Sequence, residues 1–499
     1  LEVFAGLVTG FHAAFTAPNL LYCLIGVFIG TLIGVLPGLG PAATVAMLMP
    51  AAFVLPPVSA LIMLAGIYYG AQYGGSTTSI LVNLPGEASS IVTTLDGYQM
   101  ALQGRGGVAL ATAAIGSFFA GTVCTVIIAL FAPPLANVAL RFGAPEYFSL
   151  MVLGLVACVV LARGSLLKAI GMIILGLLLG LMGTDVNSGV QRFTFGVKVL
   201  MDGIGFVTVA MGMFGLGEII YNLEREGTAE RAVMKIATLM PTREDWKRMI
   251  PPILRGTALG SFLGILPGAG AMLSAFAAYS VEKKISKHAA EFGKGAIEGV
   301  AAPESANNAG AQASFIPMLT LGIPTSPVMA LMIGAMVIQG IQPGPSVMTD
   351  QPALFWGIIV SMWIGNLFLL VLNLPMVGLW VRLCLVPYHL LYPAILAFCA
   401  IGVFSLSNNE FDVYLMALFG ILGYVFAKLD CEPAPMLLAL ILGPMMEEHL
   451  RRAMLLSRGD PMIFVRRPIS FAILLVAVIA LAAALLPAIR TKREEAFQE

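Results

Sequence analysis

Two polar stretches hold most of the side-chain chemistry available to this chain. Residues 67–99 read IYYGAQYGGSTTSILVNLPGEASSIVTTLDGYQ, where Ser76, Thr77, Thr78 and Asn83 offer hydroxyls and an amide beside the backbone of Gly75. Such groups suit the oxygens of a solute, or the coordination of a small hard cation by carbonyls and hydroxyls. Residues 298–327 read EGVAAPESANNAGAQASFIPMLTLGIPTSP and bring Glu298, Glu304, Ser305, Asn307, Asn308 and Gln312 within fifteen positions. Asn307 and Asn308 could donate to a carboxylate. Glu304, an ionisable group in or beside the bilayer, could neutralise a coupling cation or relay a proton.

The elements that must position these groups repeat. Residues 30–41 read GTLIGVLPGLGP and residues 260–271 read GSFLGILPGAGA, an offset of 230 positions. Gly30, Gly34, Leu36, Pro37, Gly38 and Gly40 match Gly260, Gly264, Leu266, Pro267, Gly268 and Gly270, and Gly26 matches Gly256. Glycines four apart let a membrane helix approach its neighbour closely. The Pro-Gly-x-Gly end removes a backbone donor and opens angles closed to other residues, so each helix should break there. In a membrane such a break is tolerated only against protein or a water-filled cavity. Two breaks in corresponding positions point to a transport site between related halves. The polar stretches correspond loosely, Ala71-Gln72 with Ala311-Gln312 and Leu84-Pro85 with Ile323-Pro324.

Composition fixes the class. Of 499 residues 59% are hydrophobic and 11% charged, with mean hydropathy +0.93. With ~20 apolar residues needed per spanning helix, we expect an all-α polytopic membrane protein with about ten to fourteen membrane elements, some re-entrant. Apolar spans are expected at 43–66 and at 108–131 among others. Asp96 and Arg105 read as a connecting loop, residues 1–19 as an interfacial amphipathic segment before the first span, and the first apolar stretch as a retained helix rather than a signal peptide. Lys+Arg 27 balance Asp+Glu 27, which leaves no basic surface for nucleic acid. None of the six cysteines forms a CxxC pair, so no disulfide framework or resident metal is expected. GxSxG, HExxH and nucleotide-binding signatures are missing, which argues against an enzyme and against ATP hydrolysis. A first repeat (1–221) and a second (251–467) are expected to flank a charged cytoplasmic loop (222–250), with a last helix and charged tail at 468–499. Basic loops on both sides of 251–281 require either two spans or a re-entrant hairpin hinged at Pro267-Gly268, and the hairpin is favoured.

At three places the residues resemble a known family. GxxxGxLPGLGP at 30–41, YYGAQYGGSTTSILVNLPGE at 68–87 and PESANNAGAQASFIPMLTLGIP at 303–324 are similar to the large membrane subunit, the TctA type, of the tripartite tricarboxylate transporter family. QGIQPGP at 339–345 is also similar, and the resemblance covers nearly the whole chain. It implies a permease of the bacterial inner membrane that works with a small TctB-type membrane subunit and a periplasmic TctC-type solute-binding protein. It implies uptake of a di- or tricarboxylate driven by a Na+ or H+ gradient, and a two-repeat core resembling elevator-type carboxylate transporters. On that footing the amides freed at Pro37, Gly38 and Gly40 and at Pro267, Gly268 and Gly270 are expected to meet the substrate's charge. Ser76, Thr77, Thr78, Asn83, Asn307 and Asn308 would add polar contacts, with Gly75, Glu304 and Gln312 serving the coupling cation. No cofactor is expected beyond a transported ion. An ion-uncoupled facilitator or channel for small organic anions is the competing reading.

Overall fold

Proline and glycine punctuate the apolar runs and set most helix boundaries. The computed structural model describes residues 2–36, 40–83, 86–139, 141–161, 165–185, 188–225, 239–266, 270–383 and 388–485. The chain opens with α1 (Glu2–Ala14), α2 (Ala17–Val35), α3 (Pro41–Phe53) and α4 (Pro57–Val82). A single 3-10 turn leads into α5 (Ile91–Leu102), followed by α6 (Gly106–Ala139), α7 (Ala144–Leu161) and α8 (Leu166–Gly180). Two-residue strands β1 (Gly183–Thr184) and β2 (Gln191–Arg192) pair antiparallel, Gly183 opposite Arg192. α9 (Phe206–Ala210) passes through a π-helical turn at Met211–Leu216 into α10 (Gly217–Arg225).

After residue 238 come α11 (Arg243–Leu263), α12 (Gly270–Ile285), α13 (Glu298–Ala313), α14 (Phe315–Leu321) and α15 (Pro327–Ile338). α16 (Ser346–Asp350), α17 (Pro352–Asn373), α18 (Val377–Leu383), α19 (Tyr388–Ser407) and α20 (Glu410–Lys428) follow. The last elements are α21 (Ala434–Leu456), α22 (Ile463–Arg466) and α23 (Pro468–Leu485). Among the described residues five helical stretches are long and apolar enough to cross a membrane: 17–35, 106–139, 206–224, 352–373 and 410–428. Shorter apolar helices, such as 144–160 and 468–483, accompany them. The architecture is all-α and polytopic, as expected.

Close packing of helix pairs organises the core. A Cβ on Gly26, Gly30 or Gly34 of α2 would collide with the carbonyl of Met63, Ile67 or Ala71 in α4. Gly256, Gly260 and Gly264 of α11 meet Ala302, Ala306 and Gly310 of α13 in the same manner. The packing thus pairs Ala71 with Gly310, one position from the sequence alignment with Ala311. The ends of the polar helices also correspond, at an offset of 239. Asn83 ends α4 with φ 58° and ψ 28°, and Gly322 ends α14 with φ 69° and ψ 26°. Four residues on, Glu87 and Ser326 both stand before the next helix with φ −151° and ψ 169° or 165°.

Two expectations need correction. The apolar run 43–66 is not one span, because Pro56 and Pro57 end one helix and begin another. α4 then continues straight through the polar stretch to Val82, buried from Ser59 to Leu81. Its hydroxyls stay helical by bonding back one turn, Ser76 to the Gln72 carbonyl at 3.1 Å and Ser79 to that of Gly75 at 2.9 Å. Asp96 lies within α5 and is fully buried rather than in a loop. At the start of the chain, Gly6 and Gly10 of α1 pack against Trp356 of α17. α2 and α11 stop at Val35 and Leu263, just before the two Pro-Gly motifs, while residues 37–39 and 267–269 lie outside the described residues.

Candidate functional site

Glu304 of α13 is the centre of a buried polar cluster, and it is completely enclosed. Ser76 of α4 donates to its Oε2 at 2.5 Å, and Thr93 of α5 donates to its Oε1. One turn along α13, Asn308 Nδ2 donates to the Glu304 carbonyl at 3.1 Å and to Ser117 Oγ of α6 at 2.6 Å. Asn307 Nδ2 lies 3.4 Å from the carboxylate of Glu87, which also accepts from Ser89. Ser89 in turn reaches Gln72 Oε1 at 2.9 Å. Two carboxylates therefore meet one set of hydroxyls and amides. Neither is ion-paired among the described residues, whose Lys, Arg and His pairs all lie elsewhere.

Beside Glu304 lies a small cavity lined by Tyr73, Ser76, Thr77, Leu110, Ala113, Ala114, Ser117, Glu304 and Asn373. Among the sequence-derived candidates, the fold thus brings Ser76, Thr77, Glu304, Asn307 and Asn308 together. Thr78 turns inward along its own helix and donates to the Gly75 carbonyl at 3.0 Å. Gly75 makes room for Glu87, whose Cγ would stand 2.9 Å from a Cβ there. Asn83 caps α4 in the left-handed conformation and is exposed. Gln312 belongs to a different network, accepting from Thr125 at 2.7 Å and donating to Asn366 at 3.2 Å. Two helical turns, roughly 12 Å, separate it from Glu304.

Of the Pro-Gly motifs, Gly40 and Gly270 are described, while Pro37, Gly38, Pro267 and Gly268 lie outside the described residues. Gly270 is buried with φ 48°, and a Cβ on it would touch that of Ser326 at 3.9 Å. Gly40 begins α3, and its amide donates to the Glu218 carboxylate of α10. A protein carboxylate thus occupies the helix start expected to receive a substrate's.

Sequence reasoning passed over Glu218, although an acid inside the apolar run 206–224 was itself a signal. It also passed over Asp96, whose Oδ1 accepts the amides of Gly293, Gly295 and Ala296, each at 2.9 Å. Tyr279 donates to the other oxygen at 2.9 Å. Thr93 stood inside the quoted polar stretch without being singled out, and Glu87 reads in the sequence only as part of a helix break. Tyr73 and Asn373 reach the cavity from α4 and α17, a meeting that no local spacing announces.

Comparison with known proteins places this assembly. A model described as the tripartite tricarboxylate transporter TctA family matches residues 20–438. An Agrobacterium vitis protein described as an uncharacterized 52.8 kDa protein in the TAR-I ttuC' 3'region is 59% identical over 499 residues, 100% of this chain and 99% of the relative. An uncharacterized protein in the TAR-II ttuC' 3'region of the same organism is 61% identical over 240 residues, 48% of this chain and 99% of that relative. No solved structure matches the chain. With its apolar helices and a match over most of its length, the chain belongs to the tripartite tricarboxylate transporter TctA family, and is a multi-pass inner-membrane transporter subunit rather than an enzyme.

Proposed function

We propose that this chain is the permease subunit of a binding-protein-dependent secondary active transporter importing small di- or tricarboxylates on a Na+ or H+ gradient. The observation that carries the reading is the twofold occurrence of one local structure. The glycine seams of α2 on α4 and α11 on α13, and the left-handed ends at Asn83 and Gly322, support two related repeats. In this reading the first repeat covers 1–221 and the second 251–467, joined by 222–250, and one unit carries cargo past the other in an elevator-like movement. The paired helix breaks near Gly40 and Gly270 flank the solute path, where freed amides and helix starts meet its carboxylates. Ser76, Thr77, Thr78, Asn83, Asn307 and Asn308 supply polar contacts. Glu304 carries the ion coupling, whereas Gly75 and Gln312, the other residues expected to serve the cation, stand apart from it, Gln312 in the network of Thr125 and Asn366.

Family membership implies the partners typical of a tripartite system. We assign them as a small TctB-type membrane subunit and a periplasmic TctC-type binding protein that captures the solute first. Uptake into proteoliposomes holding this chain with its small subunit tests the reading. Labelled di- and tricarboxylates would be offered with the binding protein under separately imposed Na+ and H+ gradients. Accumulation above the external concentration under one gradient is expected. Simple equilibration under every gradient, with the complex intact, would make the chain an uncoupled facilitator instead.

A further inference from the structure

We propose that the cavity beside Glu304 binds one small monovalent alkali cation of the Na+ type, held by oxygens of Glu304, Tyr73, Ser76, Thr77, Ser117 and Asn373. The inference deepens the coupled-transport reading and rests on it for what the ion does, though not for whether it binds. It also places the ion's shell away from Gly75 and Gln312. The Gly75 carbonyl is taken up by the hydroxyls of Thr78 and Ser79, and the Gln312 carbonyl by Thr125.

Unmet oxygens are the first argument. Tyr73 and Asn373 are 4% and 8% exposed, and the Tyr73 hydroxyl and Asn373 Oδ1 have no hydrogen-bond partner. Both residues line the cavity. Asn373 uses its Nδ2 on the Leu369 carbonyl at 2.9 Å, which leaves the oxygen free. A buried polar atom without a partner is uncommon and calls for a missing one.

The direction of the hydroxyl protons is the second. Thr77 has the Tyr73 carbonyl to donate to at 3.5 Å, and Ser117 the Glu304 carbonyl at 3.5 Å. Ser76 has two acceptors in reach, Glu304 Oε2 at 2.5 Å and the Gln72 carbonyl at 3.1 Å. With an ion in the cavity the Ser76 proton turns to Gln72, and each of the three hydroxyls keeps a lone pair for the ion, Ser117 its second one because the first accepts from Asn308. Thr93 keeps its bond to Oε1, so Oε2 is released to the ion.

Charge selects the class of ion. Among the described residues, Glu304 is the only formally charged group lining the cavity, and the other lining oxygens are neutral. One negative charge balances one positive charge, whereas a divalent ion would leave a net charge buried away from water. No group of three His, Cys, Asp or Glu side chains is gathered for a metal among the described residues. Hard oxygen donors without nitrogen or sulfur suit an alkali ion rather than a transition metal.

The test uses the purified full chain in nanodiscs without solute or binding protein, titrated with NaCl against choline chloride at constant ionic strength. Calorimetry and thermal unfolding are the readouts. One Na+ should bind saturably and raise the melting temperature. Tyr73→Phe and Asn373→Leu should each weaken binding at least tenfold, and Glu304→Gln should abolish it. Wild-type Na+ affinity in both Tyr73→Phe and Asn373→Leu would overturn the proposal. So would absence of Na+ binding to the wild type, including the case where acid alone stabilises it through Glu304, because the carboxylate then carries a proton. Na+ binding that follows this pattern in a protein unable to concentrate any carboxylate would sink the transport reading and leave the ion site standing.

Discussion

Asp96 shows how a single buried carboxylate can hold two distant parts of a chain together. Three backbone amides of 293–296 converge on one oxygen, so the anion is solvated by protein as fully as by water. Asp96→Asn replaces charge-assisted bonds with weaker ones and turns a donor toward those amides. We expect a loss of about 2–3 kcal/mol, read as a lower melting temperature with the helical content kept. An unchanged melt would show that the turn is held by other contacts. Glu218 makes a different case, because its carboxylate competes with any anion for the Gly40 amide. Glu218→Gln should lower the half-saturating carboxylate concentration several-fold in transport assays, and an unaltered value would place the anion elsewhere. Both acids were hard to weigh in the sequence for one physical reason. An internal anion solvated by backbone amides needs no basic partner, and amides carry no mark in the residue alphabet.

Helix pairing was the most legible level of the fold. Glycines four apart announced close approach, and α2 and α11 use them against α4 and α13. Gly30→Ala and Gly260→Ala should each lower stability by roughly 1–3 kcal/mol, since a methyl would press on the Ile67 or Ala306 carbonyl. Gly171→Ala, with nothing within 4 Å of its Cβ position, should leave the melt unchanged. Equal melts for all three proteins would remove the seam from the account. The polar helices were less legible. Periodicity marks a helix with one wet or greasy side, but α4 is buried all round, and α13 likewise. A run of Ser, Thr, Gly and Asn therefore reads as a loop until its hydroxyls are seen bonded to carbonyls one turn back. The cavity was least legible, because Tyr73, Ser117, Glu304 and Asn373 come from four helices that only tertiary packing brings together.

Across the whole molecule, the charged end of α11 ties the first part of the chain to the second. Arg105 pairs with Asp245 at 2.5 Å, and Arg248 joins Glu298 at 2.7 Å and Glu291 at 2.6 Å. Burial opposes ionisation of Asp245, but the Thr242 amide and hydroxyl and then Arg105 outweigh it and hold its pKa below the ordinary 3.8. Glu298 is likewise opposed by burial and held below the ordinary 4.5, chiefly by the Arg248 guanidinium. Carboxylates with pKa values lower in the folded than in the unfolded state stabilise fully above their unfolded values. That contribution fades as pH falls through the folded ones. Melting temperature should accordingly hold from about pH 7 to 5 and drop below about pH 4, and the drop should shrink in Arg248→Met. A wild-type curve that stays flat down to pH 3 would contradict this. The bond from Ser76 to Glu304 spans 228 positions and has a further consequence, for biogenesis. A ribosome adding ~5–20 residues per second reaches Glu304 roughly 10–45 s after Ser76. Until then the polar face of α4 waits in the bilayer, or at its insertion machinery, without its acceptor. The fragment ending after α10, expressed alone, should be cleared by quality-control proteases, and supplying the remainder from a second gene should rescue it.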